Sequence, residues 1–229
     1  MHKHLEILFS EYDSIVFLDT ETSGLDYKRD EIIELAAVKM LPGCVQGDEM
    51  DDFIKLSPGR RLDAKITQLT GITDEMLLTQ GVEKSEACER FVGMLDTARP
   101  LLIAYNAQFD MNFLYWFLHR HGRSEILKKI TMLDALTIYK DRRDYPHKIA
   151  DAIIAYGLED KVQNSHRAID DTRALVEVLA AMGEECADLE RYINLFGYNP
   201  KYGVSGAKIS SISYKAQPYG SRRKLYEDI

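Results

Sequence analysis

Two acidic residues, Asp19 and Glu21, follow a continuous apolar run that predicts a strand buried on both faces. Because side chains alternate along a strand, both carboxylates point to the same face. Like charges side by side repel one another, and burial at the end of a sheet removes the water that would screen them. A metal cation between the carboxylates relieves both penalties. The alternative is a polar turn in which Asp19 and Thr20 cap the next element.

Two further aspartates are predicted to face inward from the starts of helices. Asp110 and Asp171 each precede apolar residues at helical spacing, so each lies on the stripe that packs against the core. Buried carboxylates are rarely left without a partner. For Asp110, a simple N-terminal cap explains the position equally well. For Asp171 it does not, because its neighbour Asp170 is available to cap the helix.

A histidine in a polar loop precedes the last of these acids. His166 lies five residues before Asp171. A lone histidine in a loop is usually just solvated, but beside a metal site it could deprotonate an attacking water. Four acids from three separated segments, without cysteine ligands or a histidine pair, favour Mg²⁺ or Mn²⁺ over zinc. Two such ions about 3.5–4 Å apart stabilise the attacking and leaving oxygens of a phosphodiester displacement.

The elements that must hold these residues are predicted from hydrophobic periodicity. Strands are predicted at residues 14–18, 31–40, 50–56, 101–105 and within 130–136. The alanines of 31–40 also allow a helix. Helices are predicted at residues 63–69, 83–98, 109–121, 146–156 and 170–187, the last of which could extend to Leu195. Pro146 is placed at the start of its helix, and the order of elements predicts a mixed sheet with helices on both faces.

Length and composition describe an ordinary globular chain. The 229 residues are 45% hydrophobic and 29% charged, which excludes a disordered chain and predicts one large domain or one domain with an appendage. No apolar run approaches the roughly 18 residues of a membrane helix, and the N-terminus lacks the apolar segment of a signal peptide. Three widely spaced cysteines exclude a disulfide framework and a Cys-x-x-Cys zinc site. We therefore expect a cytoplasmic protein with no membrane partner.

The charge is unevenly distributed along the chain. The net charge is −8, which taken alone argues against a partner rich in phosphate. Residues 198–229, however, carry six basic and two acidic side chains, so the part before them is more acidic than the average. We predict one domain over residues 1–190 and a basic, tyrosine-rich C-terminal extension over 191–229, with a strand at 208–214. The extension either binds single-stranded nucleic acid through phosphate contacts and base stacking or packs its tyrosines on the body.

Three segments together resemble the motifs of a known family. Residues 17–25 (FLDTETSGL), 105–110 (YNAQFD) and 166–171 (HRAIDD) are similar, in order and spacing, to the three motifs of the DEDDh, or DnaQ-like, 3′–5′ exonucleases. Residues 70–72 (TGI) also resemble a segment that the family has between its first two motifs. The resemblance covers residues 12–185 and leaves out most of the C-terminal extension. The domain over residues 1–190 is therefore identified as an exonuclease domain.

The resemblance implies an RNase H-like α/β fold, in which a central mixed five-stranded sheet is flanked by helices. It also implies two Mg²⁺ or Mn²⁺ ions. Asp19, Glu21 and Asp171 are implied to hold the first ion. Asp19 is implied to bridge to the second ion, which Asp110 supports through water. His166 is implied to act as the general base from a mobile loop.

The implied reaction hydrolyses the terminal phosphodiester at a 3′ end and releases 5′-mononucleotides. Thr22, Gly24 and Leu25 are implied to bind the 3′ nucleotide, Leu25 through an apolar contact with the base. Asn106 either touches the substrate or braces its loop. The chain departs from the family at Tyr105, where members commonly have histidine. Since that position is not a metal ligand, the departure concerns substrate details and not activity.

The motifs leave the substrate and the partners open. Single-stranded DNA is the expected substrate, but RNA is compatible with the same motifs because discrimination depends on a pocket for the 2′-hydroxyl. A non-catalytic nucleic-acid-binding module that keeps the fold is a further alternative. The chain works either alone or as the proofreading subunit of a DNA polymerase. The motifs do not determine its oligomeric state.

Overall fold

A mixed sheet forms the centre of the molecule. The computed structural model describes residues 2–128, 130–163, 165–198, 213–217 and 223–228. The strands of the central sheet are β1 (Ser14–Thr22), β2 (Ile32–Leu41), β3 (Val45–Phe53), β4 (Pro100–Ala104) and β5 (Thr131–Asp134). Their order across the sheet is β3-β2-β1-β4-β5. Because β1 is antiparallel to β2 but parallel to β4, and β4 is parallel to β5, the predicted mixed five-stranded sheet is confirmed.

Helices cover both faces of this sheet, as predicted. The α-helices are α1 (Ala64–Thr70), α2 (Asp74–Thr79), α3 (Lys84–Met94), α4 (Ala107–Arg120), α5 (Ala135–Arg142), α6 (Ile149–Ala155) and α7 (Ala168–Glu185). Short 3₁₀ helices lie at Lys3–Ser10, Ser124–Lys128, Leu189–Tyr192 and Leu225–Asp228. Helices α3 and α4 share one core with the sheet, and α5, α6 and α7 share another. None of the helices in the described part of the chain is long and apolar enough to span a membrane.

Alternation along β1 decides where its acidic residues point. Val16 packs in the core with α3 and α4, whereas Phe17 packs in the core with α5, α6 and α7. The register of β1 against β2 is regular up to Glu21. Asp19 and Glu21 therefore leave the strand on the same face as Phe17, which is the face that α7 covers.

The segment 31–40, whose sequence allowed either a strand or a helix, forms strand β2. Its first nine residues are buried because the strand lies inside the sheet with helices on both faces. Strand β3 begins at Val45, several residues before the predicted start at 50, and it ends earlier as well. At the edge of the sheet its side chains are mostly exposed, so its apolar pattern is weak.

The residues that cap helix α1 explain why its boundaries were predicted well. Helix α1 begins after Asp63, whose carboxylate accepts a hydrogen bond from the Lys65 N–H at 2.8 Å. It ends at Gly71, where φ is 74°. A left-handed conformation of this kind favours glycine. The predicted helix at 63–69 is therefore confirmed to within one residue at each end.

Two other helix boundaries were predicted wrongly. Helix α6 begins at Ile149 and not at Pro146, which lies before the helix and follows a cis peptide bond. Helix α7 ends at Glu185, and the backbone becomes extended at Cys186 with φ −151° and ψ 126°. The extension of α7 to Leu195 is therefore wrong, and Leu195 instead begins a short strand.

The described part of the C-terminal extension packs against the body. Strands β6 (Leu195–Tyr198) and β7 (Ser213–Ala216) form a parallel pair. Leu225 is buried, and the hydroxyl of Tyr226 donates a hydrogen bond to Asp188 Oδ2 at 2.8 Å. Most of the predicted strand at 208–214 lies outside the described residues. Binding of nucleic acid by the extension stays a prediction.

Asp134, the last residue of β5, organises the starts of two helices. Its Oδ1 accepts hydrogen bonds from the backbone N–H groups of Asn106, Ala107 and Leu136 at 3.0, 3.2 and 3.2 Å. Its Oδ2 accepts a hydrogen bond from the Thr137 hydroxyl at 2.8 Å. One buried carboxylate therefore caps both α4 and α5 and links them to the sheet.

We predict that Asp134→Ala lowers the free energy of unfolding by about 2–4 kcal/mol, because it leaves several buried donors without an acceptor. Urea denaturation measures the effect. Asp134→Asn is the matched control, since the amide oxygen can still accept from the backbone donors, and we expect a smaller loss. If Asp134→Ala unfolded at the wild-type urea concentration, the capping role would be wrong.

Candidate active site

Four acidic side chains from three segments converge at one edge of the sheet. Asp19 and Glu21 lie at the end of β1, Asp110 lies in the first turn of α4, and Asp171 lies in the first turn of α7. Because β1 and β4 are parallel, the end of β1 and the start of the helix after β4 meet at the same edge. All four side chains line one open cavity of about 870 Å³.

His166 completes the cluster on the side of α7. One ligand atom each from Glu21, His166 and Asp171 lies within 4.8 Å of the other two. The His166 backbone is left-handed, with φ 55°, and the residue is exposed. The sequence therefore named five residues that the fold brings together, although they are separated by as many as 152 positions.

Burial and mutual repulsion hold these acids in an unusual electrostatic state. Burial is the main cause that raises the pKa of Asp19 well above its usual range, and the neighbouring carboxylates raise it further. The same causes raise the pKa of Glu21 to about 8. Burial also raises the pKa of Asp110 to about 7, although the hydrogen bond from the Thr20 hydroxyl at 2.7 Å lowers it.

The donor set fits a divalent cation. Within the described part of the chain, no lysine, arginine or histidine forms an ion pair with Asp19, Glu21 or Asp110. Asp19, Glu21 and Asp110 thus have repulsive neighbours but, among the described residues, no positive partner at ion-pair distance. Carboxylate oxygens are the ligands that Mg²⁺ and Mn²⁺ prefer, and an ion would offset both the burial and the repulsion.

Glu34 in β2 anchors the loop that carries His166. This fully buried carboxylate accepts hydrogen bonds from the Arg167 guanidinium at 2.9 Å and from the Ala168 N–H at 3.0 Å. It also lies opposite Glu21 in the register of β1 and β2. The start of α7 and the residue after His166 are therefore fixed to the strand beside the candidate metal ligands.

Asp170, which the sequence left available to cap α7, does not bond to the first N–H of that helix. The N–H of the first helical residue is bonded by Glu34, and the Asp170 carboxylate instead accepts a hydrogen bond from the Ser165 hydroxyl at 2.5 Å. The cap comes from a residue more than 130 positions away. The inward direction of Asp171 was nevertheless predicted correctly, because Asp171 is buried.

The residues predicted to bind substrate fall into two groups. Leu25, which is 84% exposed, and Asn106, which has φ 67°, line the cavity together with the carboxylates. Thr22 and Gly24 instead shape the turn that leads from the end of β1 to Leu25. The Thr22 hydroxyl donates to the Gly24 carbonyl at 2.6 Å, and a Cβ on Gly24 would lie 2.3 Å from the Asp30 carboxylate. Contact of these four residues with a nucleotide stays a prediction.

A basic and aromatic segment that the sequence analysis assigned to a helix also lines the cavity. It comprises residues 145–148 (YPHK), and Lys140 of α5 lies beside it in the cavity wall. Tyr105, where the family commonly has histidine, braces this segment because its hydroxyl donates to the His147 carbonyl at 3.0 Å. The tyrosine close to basic residues was a usable signal, but the proline of the segment was interpreted as the start of a helix.

Comparison with known proteins places the chain in a family. The model of the RNase T-type exonuclease family matches residues 16–179, which is more than half of the chain. The chain therefore belongs to the DnaQ-like exonuclease family, as the three motifs indicated.

The chain is also similar to parts of longer curated proteins. It is 34% identical over 173 residues to the PolC-type DNA polymerase III of Thermotoga maritima. This match covers 72% of this chain but 11% of that protein. The comparable match to the PolC-type DNA polymerase III of Staphylococcus aureus is 32% identical over 191 residues and covers 82% of this chain and 12% of that protein. The chain thus spans about one ninth of the length of these relatives.

Solved structures share the fold at lower identity. Exonuclease I of E. coli in complex with a dA16 oligonucleotide superposes with a TM-score of 0.68 at 16% identity. The superposition covers 79% of this chain and 42% of that one. At this identity the likeness shows the fold alone, which is RNase H-like.

The raised pKa of Glu21 predicts how the metal-free protein responds to pH. The pKa is about 8 in the folded protein against an ordinary value of 4.5, so the folded state favours the protonated form. The stability that depends on this proton is present below about pH 4.5 and is lost as the pH rises through 8. In EDTA, Glu21→Gln should therefore raise the free energy of unfolding at pH 8.5 by about 2–4 kcal/mol, with little gain at pH 4.5.

Urea denaturation at the two pH values measures this difference. Glu83→Gln is a suitable control, because Glu83 is an exposed acid that pairs with Lys55 and does not line the cavity. Equal effects of Glu21→Gln at both pH values would contradict the proposed repulsion.

Proposed function

We propose that the chain is a metal-dependent 3′–5′ exonuclease that hydrolyses single-stranded DNA and releases 5′-mononucleotides. The observation that carries the proposal is the approach of Glu21, His166 and Asp171 within 4.8 Å beside the half-buried Asp19 and the buried Asp110. Membership of the DnaQ-like exonuclease family supports the same reaction class. The direction of degradation and the metals are our proposal.

The carboxylates would hold two Mg²⁺ or Mn²⁺ ions. Asp19, Glu21 and Asp171 would hold one ion, and Asp19 with Asp110 would hold the other. When bound, such ions neutralise the charge of the phosphodiester and lower the pKa of an attacking water. Thr20 would keep Asp110 oriented, because its hydroxyl donates to Asp110 Oδ1 at 2.7 Å.

His166 would take the proton from the attacking water. The water oxygen forms a new bond to phosphorus, the bond from phosphorus to the 3′-oxygen of the penultimate nucleotide breaks, and that oxygen gains a proton from solvent. The products are a 5′-mononucleotide and a strand shortened by one residue with a free 3′-hydroxyl. The exposed position of His166 leaves its ring open to exchange the proton with solvent after each turnover.

DNA is proposed over RNA because of the proteins to which this chain is similar. The relatives are DNA polymerase III proteins, and a structural neighbour was solved with a DNA oligonucleotide. Association with a DNA polymerase is proposed on the same basis, and a cytoplasmic location is proposed because the three cysteines are free thiols. An oligoribonuclease is the second candidate, and it is favoured only if matched RNA is degraded faster.

The first test of the function concerns metal and direction. Single-stranded DNA with a label at the 5′ end should yield a ladder of shortening products in Mg²⁺ or Mn²⁺, and a 3′ label should be released as a mononucleotide. EDTA should abolish the reaction. Matched RNA and duplex DNA serve as comparison substrates. Undiminished activity in EDTA after exhaustive dialysis would rule out the proposed mechanism.

The second test concerns the roles of two neighbouring residues. His166→Ala should lower kcat by about 10²–10⁴-fold, because it removes the general base, while metal and DNA binding persist. Asp170→Ala is the matched control, since Asp170 lies on the same segment but bonds to Ser165 outside the cluster. Its loss of kcat should be much smaller. A failure of His166→Ala to bind metal would show that His166 is a ligand.

A further inference from the structure

The cavity extends well beyond the carboxylates. Its far wall is formed by Lys140 at the end of α5 and by the segment 145–148 before α6. These residues lie outside the three family motifs. The cavity therefore joins an acidic end, where the candidate metal ligands lie, to a basic and aromatic end.

The two lysines of this wall have no acidic partner among the residues that the structure describes. Within the described part of the chain, neither Lys140 nor Lys148 forms an ion pair, whereas the nearby Arg142 and Arg143 both pair with Glu185. Lys148 is exposed and Lys140 is partly exposed. Both ammonium groups are thus available to neutralise an anion that enters the cavity.

An aromatic ring lies between the two lysines in the chain. Tyr145 is 75% exposed, so most of its ring is open to solvent. Its ring meets the His147 ring edge to face, with centroids 5.9 Å apart. The His147 imidazole is in turn within hydrogen-bond distance of the Arg143 carbonyl, at 2.9 Å, so the segment that presents Tyr145 is fixed at several points.

We propose that this wall, defined as Lys140, Tyr145 and Lys148, binds the nucleotides next to the terminal one in a single strand. Tyr145 stacks on a base, and the two lysines contact the adjacent phosphates. Exposed aromatic rings beside unpaired cations are the features that bind single-stranded nucleic acid without sequence preference. The inference rests on the proposed function, because the terminal phosphodiester must lie at the carboxylates.

A second basic surface gives the competing path for the strand. On the other side of the loop 23–25 lies a cavity of about 550 Å³, lined in part by Arg61 and Lys65. The described residues that line it include two aspartates, Asp30 and Asp63, and none of them is aromatic. It therefore offers charge without stacking, and its cations make a matched control.

Equilibrium binding tests the path without requiring turnover. The probe is fluorescein-labelled (dT)10, and its anisotropy is measured in EDTA over a range of NaCl concentrations. Tyr145→Ala should weaken binding about 5–100-fold, the range expected for loss of one stacked base, and Tyr145→Phe should bind like the wild type. Lys140→Ala combined with Lys148→Ala should reduce the slope of log Kd against log [NaCl] by about 1.4, since each phosphate contact contributes about 0.7.

The control variant and a small substrate complete the design. Arg61→Ala combined with Lys65→Ala should leave the affinity and the salt slope unchanged. Hydrolysis of the p-nitrophenyl ester of thymidine 5′-monophosphate in Mn²⁺ reports the chemistry at the carboxylates without a DNA strand, and the Arg61 and Lys65 variant should hydrolyse it like the wild type.

The outcomes separate this inference from the proposed function. If the Tyr145 and lysine variants bind (dT)10 like the wild type, or if the Arg61 and Lys65 variant shows the loss instead, the proposed path is wrong. If the wild type binds (dT)10 but hydrolyses neither DNA nor the nitrophenyl ester, the proposed function is wrong while the path is still measured by anisotropy.

Discussion

Repulsion among buried carboxylates is the constraint on which the rest of this structure depends. Asp19 is half-buried in the central strand, and the helices that cover that strand remove much of the water that would screen its charge. Glu21, Asp110 and Asp171 all raise the pKa of Asp19 further. A fold that brings these groups together is less stable than one that keeps them apart, unless protons or a cation neutralise them. The large apolar cores on both faces of the sheet must offset that cost.

Other buried acids in the same molecule are satisfied in a different way. Asp134 accepts hydrogen bonds from three backbone N–H groups and one hydroxyl, and Glu34 accepts them from a guanidinium and a backbone N–H. Each caps a helix that carries a member of the cluster, α4 with Asp110 and α7 with Asp171. The acids therefore form two classes, those that several protein donors satisfy and those of the cluster, whose charges repel one another. The first class holds the second in position.

The sequence predicted the inward-facing acids more reliably than the helix boundaries. The apolar run before Asp19 and the stripe after Asp171 are local patterns, and local patterns report which face of an element is buried. The cap of α7 comes from Glu34, across more than 130 residues, so no local pattern could reveal it. The family resemblance added the roles of the five residues, and only the fold showed that they converge.

Two short helices, α5 and α2, were also not predicted from the sequence. Helix α5 begins at Ala135, immediately after the last residue of β5, and Asp134 belongs to both because it ends the strand and caps the helix. The helix at Asp74–Thr79 has only six residues, which is too few to show a clear period. The proline at 146 was misinterpreted for a related reason. A proline before a helix and a proline in its first turn look alike in a sequence.

Net charge proved a poor guide to where a polyanion could bind. The chain carries −8 in total, yet one cavity joins the acidic cluster to Lys140 and Lys148, which the described acids leave unpaired. Elsewhere in the described chain, many cations are already neutralised, as Arg142 is by Asp188 and Arg167 is by Glu34. A cation held in an ion pair adds little to the attraction of a phosphate, because binding it would first require breaking that pair. The quantity that matters for nucleic-acid binding is therefore the number of unpaired cations that face the site, and an acidic protein can have enough of them in one wall.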